Sequence, residues 1–305
     1  MPAGNAKIAN IATMSSRTNN FDSIRAFAAL MVIYGHSFPL SGAASPGILA
    51  NSVQTLGLKI FFGISGYLVG MSWLKDPNLP RYLVRRSLRI FPGLALVVVL
   101  SVIFLGPLFS TLGLPRYFAS KETWGYLLNL FLYISYSLPG VFTTNTYPIA
   151  VNGSLWSLPA EFAMYLIAPM LLAARRLPIM ALASLAFGAA GVYASTYTHH
   201  SQIVVYNLDI WAWLGVAPYF IVGSFLALRG KRPDLQRGMA ALAVLLLVGL
   251  PAAAQEFGLI FVLPYLIIAL ALADKPVFSN GARWGDLSYG LYIFGFPVEQ
   301  VVSHF

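Results

Sequence analysis

Long apolar runs separated by more polar breaks set the pattern of this chain. Nine runs, at 24–40, 52–74, 87–109, 155–174, 177–195, 207–228, 239–255, 257–273 and 287–305, each lie near the roughly 17 to 25 residues that a helix needs to cross a bilayer. They predict an all-α fold, a polytopic transmembrane helical bundle of about nine spans. A further apolar stretch, "WGYLLNLFLYISYSL" at 124–138, is only fifteen residues long, which predicts a short re-entrant or interfacial helix in place of a crossing. The run that begins at 287 continues to Phe305 without a polar tail, so the C-terminal helix is expected to be incomplete, with the chain truncated before a tenth span. Residues 1–20 are polar and hold no apolar core of their own, unlike a cleaved signal peptide. They read as a cytoplasmic tail, and 21–305, free of repeats and low-complexity linkers, as one transmembrane domain.

Composition strengthens this reading. The 305 residues are 58% hydrophobic and 10% charged, where a soluble domain carries about 25% charged residues, and mean hydropathy is +0.73. Cysteine is absent, which excludes disulfides, thiolate metal sites and a cysteinyl acyl-enzyme. The net charge of +9 fits nucleic acid in principle, but its placement argues for a lipid bilayer and against a nucleic-acid partner. With the N-terminus inside, sixteen of the nineteen cations fall in cytoplasmic segments: Lys7, Arg17, Arg25, Lys75, Arg81, Arg85, Arg86, Arg89, Arg175, Arg176, Arg229, Lys231, Arg232, Arg237, Lys275 and Arg283. Arg116 and Lys121 fall outside and Lys59 within a span, so the positive-inside rule sets a multi-pass orientation with a cytoplasmic N-terminus.

Three constellations stand out from a passive bundle. In "RAFAALMVIYGH", His36 lies eleven steps beyond Arg25, three turns plus about 20°, so both project from one helical face about 16 Å apart along the axis. A histidine inside a span is often packed and hydrogen-bonded, yet intramembrane ionisable groups are functional candidates, and neutral imidazole serves as a base near neutral pH. In "RYLVRRSLRIFP", Arg85 and Arg89 share a face with Arg86 beside them. A basic loop can serve topology alone, but arginines in place of lysines favour planar, bidentate recognition of phosphate. In "NGSLWSLPAEFAMYL", Glu161 enters from the outside about 9 Å deep, where it could meet and orient His36. The competing expectation is a buried Glu161–Lys59 ion pair without catalytic part.

Weaker signals are read as structural. His199 and His200 lack a third ligand for a metal, no metal site is expected, Asn152–Gly153–Ser154 fits a glycosylation pattern by chance, and the glycines of "LKIFFGISGYLVG" suit close helix packing.

Taken together, the motifs resemble acyltransferase family 3, membrane-bound O-acyltransferases of bacterial surface polysaccharides and nodulation factors. Asp22, Arg25 and His36 are similar to that family's arginine–(ten residues)–histidine signature, and "FFGISGYLVG", "RRSLRIFP", "SLWSLPAEFAMYL", "YFIVGSFLAL" and "GDLSYGLYIFGFPV" follow in the family's order over about residues 21–300. One departure is Gly295, near a position where the family often has a histidine. The resemblance implies ten helices, an integral membrane enzyme of the bacterial inner membrane, acyl-CoA as donor substrate with no further cofactor, and a carbohydrate hydroxyl as acceptor, the acyl group being acetyl in the first instance. Arg25, Arg85, Arg86 and Arg89 would then hold the phosphates of acyl-CoA, His36 would be the general base with Glu161 orienting it, and Asp22, Lys59, Trp156 and Tyr289 would support the site. An acyl-His36 intermediate stays open. The alternative is a proton-coupled exporter of a sugar or lipid-linked glycan using His36 and Glu161 as a relay. A passive scaffold would leave the Arg25–His36 alignment unexplained.

Overall fold

The computed structural model describes residues 20–148, 150–197, 203–273 and 286–305. Residues 1–19 with Lys7 and Arg17, the His199–His200 pair, Lys275 and Arg283 lie outside the described residues. Nine helices stand where apolar runs predict them: α1 (Phe21–Leu40), α2 (Val53–Lys75), α3 (Leu79–Phe109), α4 (Gly153–Ala173), α5 (Leu177–Tyr197), α6 (Ile210–Arg229), α7 (Leu235–Leu247), α8 (Ala252–Ala271) and α9 (Ser288–His304). Two-residue antiparallel hairpins, β1–β2 (Gly47–Ile48 with Asn51–Ser52) and β3–β4 (Val204–Val205 with Leu208–Asp209), precede α2 and α6.

Among the described residues, six helices, α2, α3, α4, α5, α6 and α8, are long and apolar enough to cross a membrane. The chain is therefore a multi-pass helical membrane protein. The exact count of nine spans is not confirmed: among the described residues α7 has 13 residues and α9 17, and α1 carries Asp22, Arg25 and His36 in its 20. The boundary between α7 and α8 also moves. The chain turns at Val248–Pro251, where Gly249 takes φ +59°, which puts Glu256 inside α8 and not in a loop between two runs. The 124–138 stretch is not one helix: Tyr126–Phe131 is 3₁₀, and Leu132 leaves it in the left-handed region at φ +62°. Asn129 fixes this bend by donating to Tyr126 O (2.7 Å) and Ser135 O (3.0 Å) and accepting from Ser135 N–H (3.0 Å).

The ends of the helices that carry the cations meet at one end of the bundle. Asn20 N–H donates to Ala271 O (3.1 Å), joining the start of α1 to the end of α8, and Arg175, just past α4, donates to Leu74 O in α2 (3.3 Å). The end of the bundle where these termini meet is called the basic end below.

The closest pairing of long helices is α2 with α6. A Cβ placed on Gly66 would fall 2.0 Å from Phe220 O, and one on Gly223 2.2 Å from Gly63 O, so the two backbones touch where only hydrogen fits, the small-residue crossing that membrane helices use in place of a hydrophobic driving force. Ser224 seals it by donating to Gly66 O (3.0 Å). α6 also packs on α5, α2 on α1, and α1 on α9.

Candidate functional site

A narrow cavity lies inside the bundle between α1, α2, α3, α4 and α9. Arg25, Ser65, Arg89, Glu161, Ser288 and Tyr289 reach it among aromatic and aliphatic walls. Its volume is about 30 Å³, room for a water or two.

Arginine chemistry dominates the end nearer the start of α1. Asp286 accepts from Arg25 (2.9 Å) and from Arg89 (2.9 Å) on the same oxygen, while its other oxygen accepts from the backbone N–H of Ser288 (3.1 Å) and from the Ser288 hydroxyl. One carboxylate therefore holds two guanidiniums and ties the start of α9 to α1 and α3. Burial by itself would raise the Asp286 carboxyl, but Arg25, the Ser288 hydrogen bond and Arg89 hold it below its ordinary value, so it is ionised at neutral pH. Arg25 is only 7% exposed, and its Nε–H is buried without a partner. The cavity thus carries a buried guanidinium with an unused donor.

At the other side of the cavity, Glu161 accepts from Ser65 (2.9 Å) and from Tyr165, one turn further along α4. Tyr289 donates to Ile90 O (2.7 Å) and lies across Gly93, where a Cβ would fall 2.5 Å from its ring. Tyr292 shares a hydrogen bond with Ser157 (2.5 Å) and donates to Ser154 O (3.1 Å). Asn152 donates to Ile293 O (2.9 Å) and caps Ser154 N–H (3.1 Å). The "NGS" of the glycosylation pattern is therefore a buried clasp between α4 and α9.

The predicted donor set of Arg25, Arg85, Arg86 and Arg89 divides. Arg25 and Arg89 face the cavity, whereas Arg85 (3.1 Å) and Arg81 (3.3 Å) pair with Asp76 on the surface, and Arg86 stands over the rings of Tyr165 (5.7 Å) and Tyr82 (6.0 Å). Asp22 makes no ion pair among the described residues, and Trp156 packs on the hydrophobic core.

Two further expectations are corrected. Lys59 does not pair with Glu161; it donates to Glu256 (2.6 Å) and Asn51 (2.5 Å), Asn51 donates to Glu256 (3.0 Å), and so does Tyr219 (2.9 Å). This closed, buried network lies outside the cavity lining. Nor does Glu161 orient His36: the hydrogen bonds of Glu161 go to Ser65 and Tyr165, and His36 makes none among the described residues. The reason is depth. His36 stands four residues from the end of α1, about 6 Å, whereas Glu161 lies eight residues into α4, about 12 Å. His36 instead meets the edge of Phe296 on α9, ring centroids 5.1 Å apart.

The residues that motif reading passed over are Asp286 and Glu256. Each had a signal, a lone acid beside a hydroxyl in "GDLSYG" at the basic end and a lone acid inside an apolar run.

Comparison with known proteins decides what kind of protein this is. The acyltransferase domain model matches residues 18–305. The chain belongs to acyltransferase family 3. It is an acyltransferase, and the motifs from Asp22 to Leu228 sit on the helices described above. It is 26% identical over 294 residues to an O-acetyl transferase of Shigella phage Sf6, covering 94% of this chain and 86% of the relative. It is 32% identical over 176 residues to nodulation protein 10 of Rhizobium leguminosarum bv. viciae, covering 52% of this chain and 45% of that protein. A regulator of hypoxia-inducible factor 1 from Caenorhabditis elegans is 31% identical over 149 residues, 45% of this chain and 26% of its own. No solved structure matches the chain. In this acyltransferase Gly295, the departure from the family pattern, sits on the α1–α9 seam, where a Cβ would fall 2.7 Å from Ile33.

Proposed function

We propose that this acyltransferase moves an acyl group, acetyl in the first instance, from cytoplasmic acyl-CoA to a hydroxyl of a sugar or cell-surface glycan. It sits in a bacterial inner membrane with its N-terminus and basic end in the cytoplasm. The observation that carries the reading is the buried Arg25 guanidinium, with an unused donor, beside Arg89 in an intramembrane cavity. Arginine presents the planar fork that phosphate takes up bidentately, and the Arg25 Nε–H is a donor that Asp286 does not use. The O-acetyl transferase relative supports acetyl as the group moved.

Arg25 and Arg89 then hold donor phosphate, and the thioester arm runs along the helical face that Arg25 shares with His36. His36 takes the proton of the acceptor hydroxyl as its oxygen attacks the thioester carbonyl, and the imidazolium returns a proton to the departing CoA thiolate. Glu161, held by Ser65 and Tyr165, lines the path between the two. The cavity as it stands admits only water, so donor entry requires it to widen.

Arg89→Ala is expected to weaken acyl-CoA binding by about 1.5–3 kcal/mol, the worth of a hydrogen bond to a charged group. Arg85→Ala, on a residue already paired at the surface, is expected to do less, and Arg89→Lys to restore binding only in part. Binding of labelled acetyl-CoA to vesicles containing the purified protein measures this; full rescue by lysine would reduce the site to topological charge. Orientation is checked in the cysteine-free chain with an impermeant maleimide. Thr144→Cys is expected to label in intact cells and Leu79→Cys only after permeabilisation, and labelling of Leu79→Cys from outside would overturn the topology.

A further inference from the structure

We propose that Glu299 on α9 is the carboxylate that positions His36, a role resting on the reading of His36 as the base. Three contacts fix the register of the parallel pair α1 and α9: Gly295 lies against Ile33, Phe296 meets the His36 ring at 5.1 Å, and the Ser303 hydroxyl donates to Leu40 O (3.2 Å). Residues 295, 299 and 303 recur at intervals of four and form one stripe of the helix, so the outer two members touch α1 at Ile33 and Leu40. The middle member, Glu299, falls midway between them, level with His36.

The next residue shows the other side of the helix. Gln300 turns about 100° away and is consumed by the segment before α4, donating to Tyr147 O (2.8 Å) and Ala150 O (2.6 Å). Glu299 is not consumed. It makes no hydrogen bond among the described residues, and its Oε2 is buried without a partner. A carboxylate cannot stay ionised and unpaired in a membrane interior without heavy cost, and His36, equally without a hydrogen bond, is the titratable group that the register brings to its level. A carboxylate against an imidazole selects the tautomer and steadies the imidazolium that forms when the base takes its proton.

Glu299→Gln keeps size and removes charge. It is expected to lower kcat about 10- to 100-fold, the usual effect of losing such a supporting partner, with KM for acetyl-CoA and protein yield unchanged and with Glu299→Asp recovering part of the rate. The double variant His36→Ala/Glu299→Gln should be no slower than His36→Ala alone, because residues acting as a unit do not multiply. A wild-type kcat in Glu299→Gln, or multiplying losses in the double variant, would overturn the proposal. A second readout needs no acyl transfer: the rate of His36 carbethoxylation by diethylpyrocarbonate, followed by peptide mass spectrometry, should change several-fold in Glu299→Gln, and an unchanged rate counts against the pair. If the wild-type protein transfers no acyl group, the proposed function falls, and this rate alone decides Glu299.

Discussion

His36→Ala is expected to lose O-acylation by about 10²- to 10⁴-fold, the span that a positioned general base contributes, while protein level and acetyl-CoA binding stay near wild type. The separation follows from the geometry of α1. Arg25 and His36 share a face, but about 16 Å of helix lies between them, and the contacts of Arg25 go to Asp286, not to the region of His36. Removing the imidazole takes away a ring packed on Phe296 and no hydrogen bond, so folding loses little. Arg25→Ala should fail in the opposite way, with donor binding lost first, because it leaves Asp286 to Arg89 alone. Transfer of labelled acetyl from acetyl-CoA in vesicles, normalised to folded protein, is the measurement. Turnover near wild type in His36→Ala would end the reading of this residue as the base, and losses of yield and activity in proportion would make it structural.

The second large effect concerns stability. Lys59→Ala is expected to destabilise the protein by about 3–5 kcal/mol, since removing one partner of a buried pair leaves the other charge uncompensated. Here Glu256 is 5% exposed and would keep only Asn51 and Tyr219 as neutral donors. Substituting both charges, Lys59→Met with Glu256→Leu, removes the orphan and should recover much of the loss, because a well-packed apolar replacement of a buried ion pair is often neutral or better. Thermal unfolding in detergent, followed by size-exclusion chromatography, compares the three. A Lys59→Ala protein as stable as wild type would show that the network is not closed as described, and activity per folded molecule should be little changed, since Lys59 lies outside the cavity.

Helix positions were legible in the sequence because bilayer thickness dictates the length of apolar runs. What periodicity along one chain cannot give is the pairing of side chains from runs far apart. Lys59 finds Glu256 and not Glu161 because Gly249 and Pro251, not the acid itself, make the turn between α7 and α8. Arg25 and Arg89 converge through Asp286, 261 and 197 residues further along the chain, a bridge that no local spacing announces. Spacing did align Arg25 with His36, since that relation lies within a single helix, but depth measured from one end of α1 misjudged where His36 stands relative to Glu161.

The glycine crossing of α2 and α6 has a mechanical consequence. With Gly66 against Phe220 O and Gly223 against Gly63 O, these two helices cannot slide without collision or part without opening a void, so they behave as a stator. Ser65, on α2, is fixed to that frame. Any motion that admits a donor arm is then left to the opposite walls, α3 and α9, whose polar tie to α1 at the basic end runs through the shared carboxylate of Asp286. An incoming phosphate that draws Arg25 and Arg89 toward itself would unlatch the same tie, so that the ligand supplies its own key.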